Sequence, residues 1–148
     1  MAKKSPFISV IIPAYNEEKF LPACLESISK QTLAKNEYEV IVVDNASTDK
    51  TAEIAKRYPV KLVQEPRQSV VLARQKGVDE SHGEIIVSAD ADTTYPTMWL
   101  ERIKFDFINQ SKIIAVVGWI YYKNSTTLYN FGVAFNQELN LLIQRVFG

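Results

Sequence analysis

The chain has 148 residues, of which 47% are hydrophobic, and its 17 basic and 17 acidic side chains give a formal net charge of zero. That length suits one domain with a single core, so we expect one domain over residues 1–148, with a flexible N-terminus at residues 1–6. The neutral balance gives no electrostatic reason to expect nucleic-acid binding. The lone Cys24 excludes a disulfide within the chain and favours a cytoplasmic setting.

Hydrophobic periodicity predicts alternating strands and helices. Strands are predicted at residues 7–12, 39–44, 60–63, 84–88 and 112–117. Helices are predicted at residues 17–31, 69–81, 96–107 and 125–147. Another helix, the second along the chain, is predicted to begin after N-cap candidates at residues 47–49 and to end at residue 57. We expect His82-Gly83 to end the third helix as a glycine C-cap. The alternation predicts a three-layer α/β/α, Rossmann-like fold with a mainly parallel sheet, whose ligands bind beyond the carboxyl ends of the strands.

The loop after the first strand, from Pro13 to Glu18, contains no glycine and carries two carboxylates. Phosphate-binding loops at this position are usually glycine-rich, so that backbone N–H groups meet the anion. This loop therefore suits a base or a sugar better than a bare diphosphate, and it disfavours a nucleotidyltransferase. The second strand ends in Asp44, which either accepts a hydrogen bond from a base N–H or starts a turn together with Asn45.

The fourth strand leads into Asp90-Ala91-Asp92. Two carboxylates one residue apart raise each other's pKa, and a divalent cation with oxygen ligands removes that conflict. The alternative is an exposed acidic turn, because an isolated Asp-x-Asp is common by chance. The case for a cation site grows because this cluster, Asp44 and the loop at Tyr15 all follow predicted strands and share one rim of the sheet.

Three segments resemble successive signatures of family 2 glycosyltransferases with the GT-A fold, and the resemblance covers about residues 7–120. They are residues 9–18, 42–51 and 83–92. The resemblance implies a nucleoside-diphosphate-sugar donor, such as a UDP- or GDP-sugar, and an inverting transfer. It implies Mn²⁺ or Mg²⁺ at Asp92 and Asp90, with Asp90 also approaching the ribose. The remaining donor-binding residues that it implies are Pro13, Ala14, Tyr15, Glu17, Asp44, Asn45 and Ala91, with Arg67 and Arg74 both candidates to face the phosphates.

The family's catalytic base is an acidic residue well beyond the Asp-x-Asp, and no such motif follows here. The later carboxylates are Glu101, Asp106 and Glu138. We therefore expect a chain truncated on the acceptor side, whose catalytic base lies beyond it and whose acceptor, a glycan or a lipid carrier, is not specified. The alternative function is a non-catalytic nucleotide-sugar-binding or assembly module.

The predicted C-terminal helix carries an apolar stripe at helical spacing. Its members are Leu128, Phe131, Phe135, Leu139, Leu142 and Val146. The stripe favours packing within the chain or a homodimer through this helix over peripheral contact with the cytoplasmic face of a membrane, because its polar face is not notably basic. No run reaches the roughly 20 apolar residues of a membrane-spanning helix.

Overall fold

The computed structural model describes residues 7–109, in which strands and helices alternate along the chain. The strands are β1 (Ile8–Ala14), β2 (Tyr38–Asp44), β3 (Lys61–Gln64) and β4 (Ile85–Ser88). The helices are α1 (Leu21–Ser29), α2 (Thr51–Ala55), α3 (Val70–Asp79) and α4 (Trp99–Asn109). The strand predicted at 112–117, the helix predicted at 125–147 and the terminus at 1–6 lie outside the described residues.

All four strands are parallel, in the spatial order β3-β2-β1-β4. The chain moves outward from β1 through β2 to β3, and then returns to place β4 on the other side of β1. The predicted α/β fold with a parallel sheet is confirmed. The reversal of strand order falls between β1 and β4, and crevices at such switch points are where open α/β sheets bind ligands.

Both faces of the sheet are covered, so the described part of the chain has three layers. On one face, Val10 and Ile12 of β1 belong to a buried cluster that includes residues of α1, α2 and α4. On the other face, Ile11 packs in a second cluster with Ala73 of α3. Because side chains alternate along a strand, a central strand between two helical layers is apolar at successive positions, as β1 is.

Element ends shift by a few residues from those predicted, for reasons that lie in distant contacts. Pro13 falls inside β1 rather than ending it, at a point where the ladder with β4 has already ended at Ile11 and only β2 flanks the strand. The first helix begins at Leu21 rather than at residue 17. Its predicted first turn is instead a loop, because the N–H of Glu17 donates to Thr51 at the start of α2 and the N–H of Glu18 donates to Asp49 in the loop before α2.

The prediction of a glycine C-cap at Gly83 is wrong. Helix α3 ends at Asp79 with Glu80 as its cap, and no glycine among the described residues has a positive φ. Gly83 instead lies against β1, where a Cβ would approach the backbone N of Ser9 to 2.5 Å and the carbonyl carbon of Ile8 to 2.7 Å. This position needs a glycine because of a close approach between backbones rather than because of a turn.

Candidate functional site

A cleft of about 350 Å³ opens at the carboxyl ends of β1 and β4. It is lined by Pro13, Ala14, Tyr15, Glu17, Asn45, Val70, Arg74, Asp90, Ala91 and Asp92. The structure therefore brings together all of the sequence-predicted donor-binding residues except Asp44 and Arg67. Tyr15 presents the one large aromatic surface in this lining, and its side chain is 42% exposed.

The loop after β1 is fastened to the loop after β2. Asn16 donates through its N–H to Ser47 Oγ at 3.1 Å and accepts from the N–H of Thr48 at 2.8 Å. The N–H of Glu17 donates to Thr51 Oγ1 at 2.8 Å. Asn16 and Ala46 have positive φ values of 55° and 60°, which costs a non-glycine residue about 1–2 kcal/mol. The walls of the cleft are thus set before any ligand arrives.

Asp44 and Asn45 end β2 with buried side chains, 6% and 4% exposed respectively. Asp44 Oδ1 accepts a hydrogen bond from the N–H of Ser47 at 3.2 Å. This carboxylate therefore starts a turn, which is one of the two roles predicted for it from the sequence. Asn45 donates to the carbonyls of Glu65 and Arg67 and accepts from the N–H of Ser69. Asn45 therefore joins the end of β2 to the residues that lead into α3.

The two candidate arginines lie in different surroundings. Arg74 Nη2 lies 3.0 Å from Asp90 Oδ1, and Arg74 Nε donates to Ser88 Oγ at 3.1 Å, so its guanidinium faces the cleft beside the Asp-x-Asp. Arg67 instead makes two hydrogen bonds to the carboxylate of Glu65 through its side chain. Those bonds bring the pKa of Glu65 down to about 2. Of the two, Arg74 is the one that can meet a ligand in the cleft.

The Asp-x-Asp continues the alternation of β4 past the end of the strand. Ala89 and Ala91 are buried, whereas Asp90 and Asp92 are exposed between and beyond them. The two buried methyl groups anchor the turn and direct both carboxylates outward. Asp92 has a single long hydrogen bond, from Thr93 Oγ1 at 3.4 Å, and no basic side chain of residues 7–109 pairs with it.

Negative charge concentrates at the floor of the cleft. Burial, and then the charges of Asp92 and Asp49, raise the pKa of Glu17 above its usual value. Burial, and then the charges of Asp92, Asp90 and Glu17, raise the pKa of the Cys24 thiol to about 12. Cys24 therefore stays a neutral thiol on the buried face of α1, where its Sγ donates to the carbonyl of Asp90 at 3.5 Å.

The donor set fits a hard divalent cation only in part. Asp92 offers an exposed carboxylate whose charge is not neutralised, and oxygen ligands of this kind are what Mg²⁺ and Mn²⁺ take. Within residues 7–109, however, no group of three His, Cys, Asp or Glu side chains could hold a metal ion. A cation here would need further oxygen ligands from a bound molecule and from water. Protein-bound Mg²⁺ usually has such a ligand set, with one or two carboxylates, substrate phosphates and several waters.

Three residues at the site were not predicted from the sequence. Val70 lines the cleft at the start of α3, Ser88 contacts Arg74, and Tyr95 hydrogen-bonds the backbone of Asp90. Only Ser88 carried a signal, because it is a polar residue at the carboxyl end of an apolar strand. In the part of the chain that the structure describes, no helix has the length and apolar character to cross a bilayer.

Comparison with known proteins gives a consistent result. Residues 9–145 match the family described as Glycosyl transferase family 2. The chain is 40% identical over 108 residues to Glycosyltransferase AglE of Haloferax volcanii, a match that covers 69% of this chain and 36% of AglE. The chain thus spans about a third of that relative's length.

Solved structures of similar fold include two that were determined with nucleotide sugars. One is mannosyltransferase PcManGT from Pyrobaculum calidifontis in complex with GDP-Man and Mn²⁺, with a TM-score of 0.58, 33% identity and coverage of 63% of this chain and 29% of that one. Another is S. aureus TarS 1-349 in complex with UDP-GlcNAc, with a TM-score of 0.66, 25% identity and coverage of 78% of this chain and 38% of that one.

Proposed function

The chain belongs to glycosyl transferase family 2, and on that premise we propose that its cleft binds a nucleoside-diphosphate-sugar donor with a divalent cation for inverting sugar transfer. One observation carries the proposal: the loop of Tyr15, the guanidinium of Arg74 and the Asp90–Asp92 pair line a single cleft at the β1/β4 switch point. These groups are an aromatic face, a fixed cation and a pair of carboxylates, which together match the parts of such a donor.

The nucleoside end of the donor belongs on the β1 side of the cleft. Tyr15 gives the base a surface for stacking, and Glu17 lies beside it with a raised pKa. A base N–H beside Glu17 would supply a hydrogen bond that its carboxylate lacks among the described residues. We place Asp90 toward the ribose, as the family resemblance implies, because its carboxylate lines the same cleft and contacts Arg74.

The diphosphate belongs between Arg74 and Asp92. Arg74 can offer N–H groups in a fixed plane to phosphate oxygens, which a metal alone does not provide. Mg²⁺ or Mn²⁺ held by Asp92 would neutralise the charge that develops on the nucleoside-diphosphate leaving group. The complexes of PcManGT with GDP-Man and Mn²⁺ and of TarS with UDP-GlcNAc support a donor and a cation of this class.

The catalytic base stays a prediction outside the described cleft. After Asp92, the carboxylates within residues 7–109 are Glu101 and Asp106 of α4, and neither lines the cleft. Glu101 accepts a hydrogen bond from Thr32 Oγ1 at 2.6 Å. In this proposal the described residues bind the donor, whereas a carboxylate outside the cleft activates the acceptor hydroxyl.

Isothermal titration calorimetry of the full chain with UDP- and GDP-sugars, with and without Mn²⁺, tests donor binding. We expect one of these sugars to bind in a metal-dependent way, with an affinity that falls more than about 100-fold in Asp92→Ala. Loss of a metal ligand should lower the affinity more than loss of an outer-shell partner, which costs about 10–100-fold. The matched control is Asp79→Ala, which removes an exposed carboxylate of α3 outside the cleft. Absence of nucleotide binding under either metal condition would contradict the proposal.

Turnover is tested separately, because donor binding does not require the base. We expect the chain alone to bind the donor without transferring sugar at an ordinary enzymatic rate, as measured by release of the nucleoside diphosphate in the presence of candidate glycan and lipid-carrier acceptors. Rapid transfer by this chain would show that the base lies within it, and would leave the donor site intact.

A further inference from the structure

The Tyr95 hydroxyl contacts Asp90 through the two peptide groups that flank that residue. It accepts a hydrogen bond from the Asp90 N–H at 2.7 Å and donates one to the Asp90 carbonyl at 3.2 Å. The first peptide group precedes the Asp90 Cα and the second follows it. One hydroxyl therefore fixes the backbone on both sides of a cleft carboxylate, although Tyr95 is not among the residues that line the cleft.

Tyr95 is itself held from two directions. Its N–H donates to Ser27 Oγ of α1 at 3.0 Å. Its ring stacks on Trp99 of α4, with the centroids 4.0 Å apart and the planes inclined by 24°. A stacked aromatic pair contributes about 0.5–1.5 kcal/mol beyond its buried area. The position of the hydroxyl is thus set by two helices of the fold rather than by the loop that it contacts.

The other contacts to the Asp90 backbone are weaker. The Asp90 carbonyl also accepts from the Thr93 N–H at 3.4 Å, which is long for an N–H donor, and from Cys24 Sγ at 3.5 Å, where the thiol is a weak donor. The Asp90 N–H has no partner other than Tyr95 among residues 7–109. Removal of the hydroxyl would leave this N–H without an acceptor from the described chain and loosen the turn that carries both carboxylates.

We propose that Tyr95 is a positioning residue that orients Asp90 and, two residues further on, Asp92 toward a divalent cation and the nucleotide that it accompanies. The inference rests on the proposed donor site. It adds a residue that touches neither ligand and acts only through the backbone. Loss of an outer-shell partner of a metal ligand usually lowers metal affinity about 10–100-fold, and an effect through the backbone belongs at the lower end of that range.

The test compares two isosteric substitutions in the full chain. Tyr95→Phe removes the hydroxyl and keeps the ring that stacks on Trp99. Tyr58→Phe is the matched control, because the Tyr58 hydroxyl also donates to a backbone carbonyl, that of Pro22 at 3.3 Å, and lies outside the cleft. With Mn²⁺ titrated in the presence of UDP or GDP, whichever the wild-type chain binds, we expect the affinity for Mn²⁺ to fall about 10-fold in Tyr95→Phe. We expect it to be unchanged in Tyr58→Phe.

The outcomes separate this inference from the proposed function. If the wild-type chain binds neither UDP nor GDP in the presence of Mn²⁺, the donor site itself is wrong. If the wild-type chain binds one of these nucleotides with Mn²⁺ and Tyr95→Phe binds that nucleotide and Mn²⁺ equally well, the donor site stands and the role of Tyr95 is overturned. An equal loss in Tyr58→Phe would also overturn it, because a general loss of stability would then explain the effect.

A metal-free measurement keeps the inference testable on the backbone alone. Hydrogen exchange at the Asp90 amide should accelerate in Tyr95→Phe and not in Tyr58→Phe, because only the first substitution removes the acceptor of that N–H. Equal protection of the Asp90 amide in Tyr95→Phe and in the wild-type chain would show that the hydroxyl does not hold the turn.

Discussion

Glu39 and Glu17 are both partly buried glutamates, and they lie near opposite ends of the sheet. Glu39 is at the amino end of β2, where it accepts hydrogen bonds from Ser9 Oγ and from the N–H of His82, each at 2.6 Å. Burial opposes its ionisation, but these bonds outweigh it and hold the pKa of Glu39 below its usual value. Glu17, beyond the carboxyl end of β1, has a raised pKa instead.

The difference separates an end of the sheet whose polar groups are paired within the fold from an end whose carboxylates are not. At the amino end, Ser9 is fully buried and links Glu39 to the N–H of Gly83, so these three polar groups are all paired within the fold. At the carboxyl end, carboxylates lie near one another, Asp92 lacks a cationic partner among residues 7–109, and the backbone at Ala46 is strained. Groups left unsatisfied in this way are common where a ligand completes a site.

The largest expected effect lies at the amino end, in Gly83→Ala. The new methyl group would meet backbone atoms of Ser9 and Ile8 within 2.7 Å, and the strand cannot move without breaking the ladder between β1 and β4. We expect the free energy of unfolding to fall by about 3 kcal/mol, at the upper end of overpacking costs. Urea denaturation followed by circular dichroism measures it.

Gly77→Ala is the control for that substitution. Its new methyl group would meet the side chain of Ile11 rather than backbone, and a side chain can shift by a rotamer change. We expect a smaller loss of stability than for Gly83→Ala. The reverse order would show that β1 yields more readily than the core, and the amino end would then not be the rigid one.

A smaller loss is expected in Glu39→Gln. The amide oxygen can still accept from Ser9 and His82, but hydrogen bonds to a charged group are stronger than those to a neutral one, so we expect a loss of about 1 kcal/mol at pH 7. Because the folded pKa of Glu39 lies below its ordinary value of 4.5, this contribution is full above that pH. It should disappear as the pH falls through the folded pKa.

Thermal denaturation of Glu39→Gln and the wild-type chain between pH 7 and pH 3 tests this dependence. The two curves should converge toward the acid end. Glu84→Gln is the control, because Glu84 is exposed and lies beside the same end of the sheet. A constant difference between wild type and Glu39→Gln at all pH values would assign the loss to packing rather than to charge.

The smallest effect is expected at the cleft, and it has the opposite sign. Glu17→Gln removes a carboxylate whose pKa is raised first by burial and then by Asp92 and Asp49. A raised folded pKa means that stability is lost as the pH rises through it. We therefore expect Glu17→Gln to be more stable than wild type at pH 7 by about 0.3 kcal/mol, a small value because solvent screens the site. The gain should vanish below about pH 4.

Differential scanning calorimetry at pH 7 and pH 4 measures that gain. Glu84→Gln, an exposed position outside the helices, is the control and should leave the melting temperature nearly unchanged. A loss of stability in Glu17→Gln at pH 7 would contradict the proposed difference between the two ends of the sheet. It would show that the Glu17 carboxylate stabilises the unliganded fold, as that of Glu39 does.

Local pattern was enough to predict the order of elements, the parallel sheet and the rim that gathers the cleft residues. The runs at β1 and β4 are short and apolar, and the polar residues after them must lie at one edge once the strands are parallel. The resemblance then supplied the roles of Tyr15, Arg74 and the Asp-x-Asp, and those roles stay predictions until binding is measured.

What local pattern could not predict depends on contacts between distant parts of the chain. Gly83 looked like a helix cap because it follows a helical run, whereas its neighbour is Ser9, 74 residues away. Asn45 was grouped with donor ligands, yet its amide is bonded to the segment that leads into α3. Sequence spacing also could not show which arginine faces the cleft. Arg74 lies on α3 and contacts Asp90, whereas Arg67 precedes α3 and pairs with Glu65.

The alternation of buried and exposed residues runs without interruption from Ile85 to Asp92. A deletion of one residue within this stretch would therefore do more than shorten a loop. It would exchange the inward-facing and outward-facing positions, turning carboxylates into the core and alanine methyl groups into the solvent. Insertions and deletions should be tolerated in this segment only in pairs, whereas a single substitution of either alanine by another small residue should be accommodated.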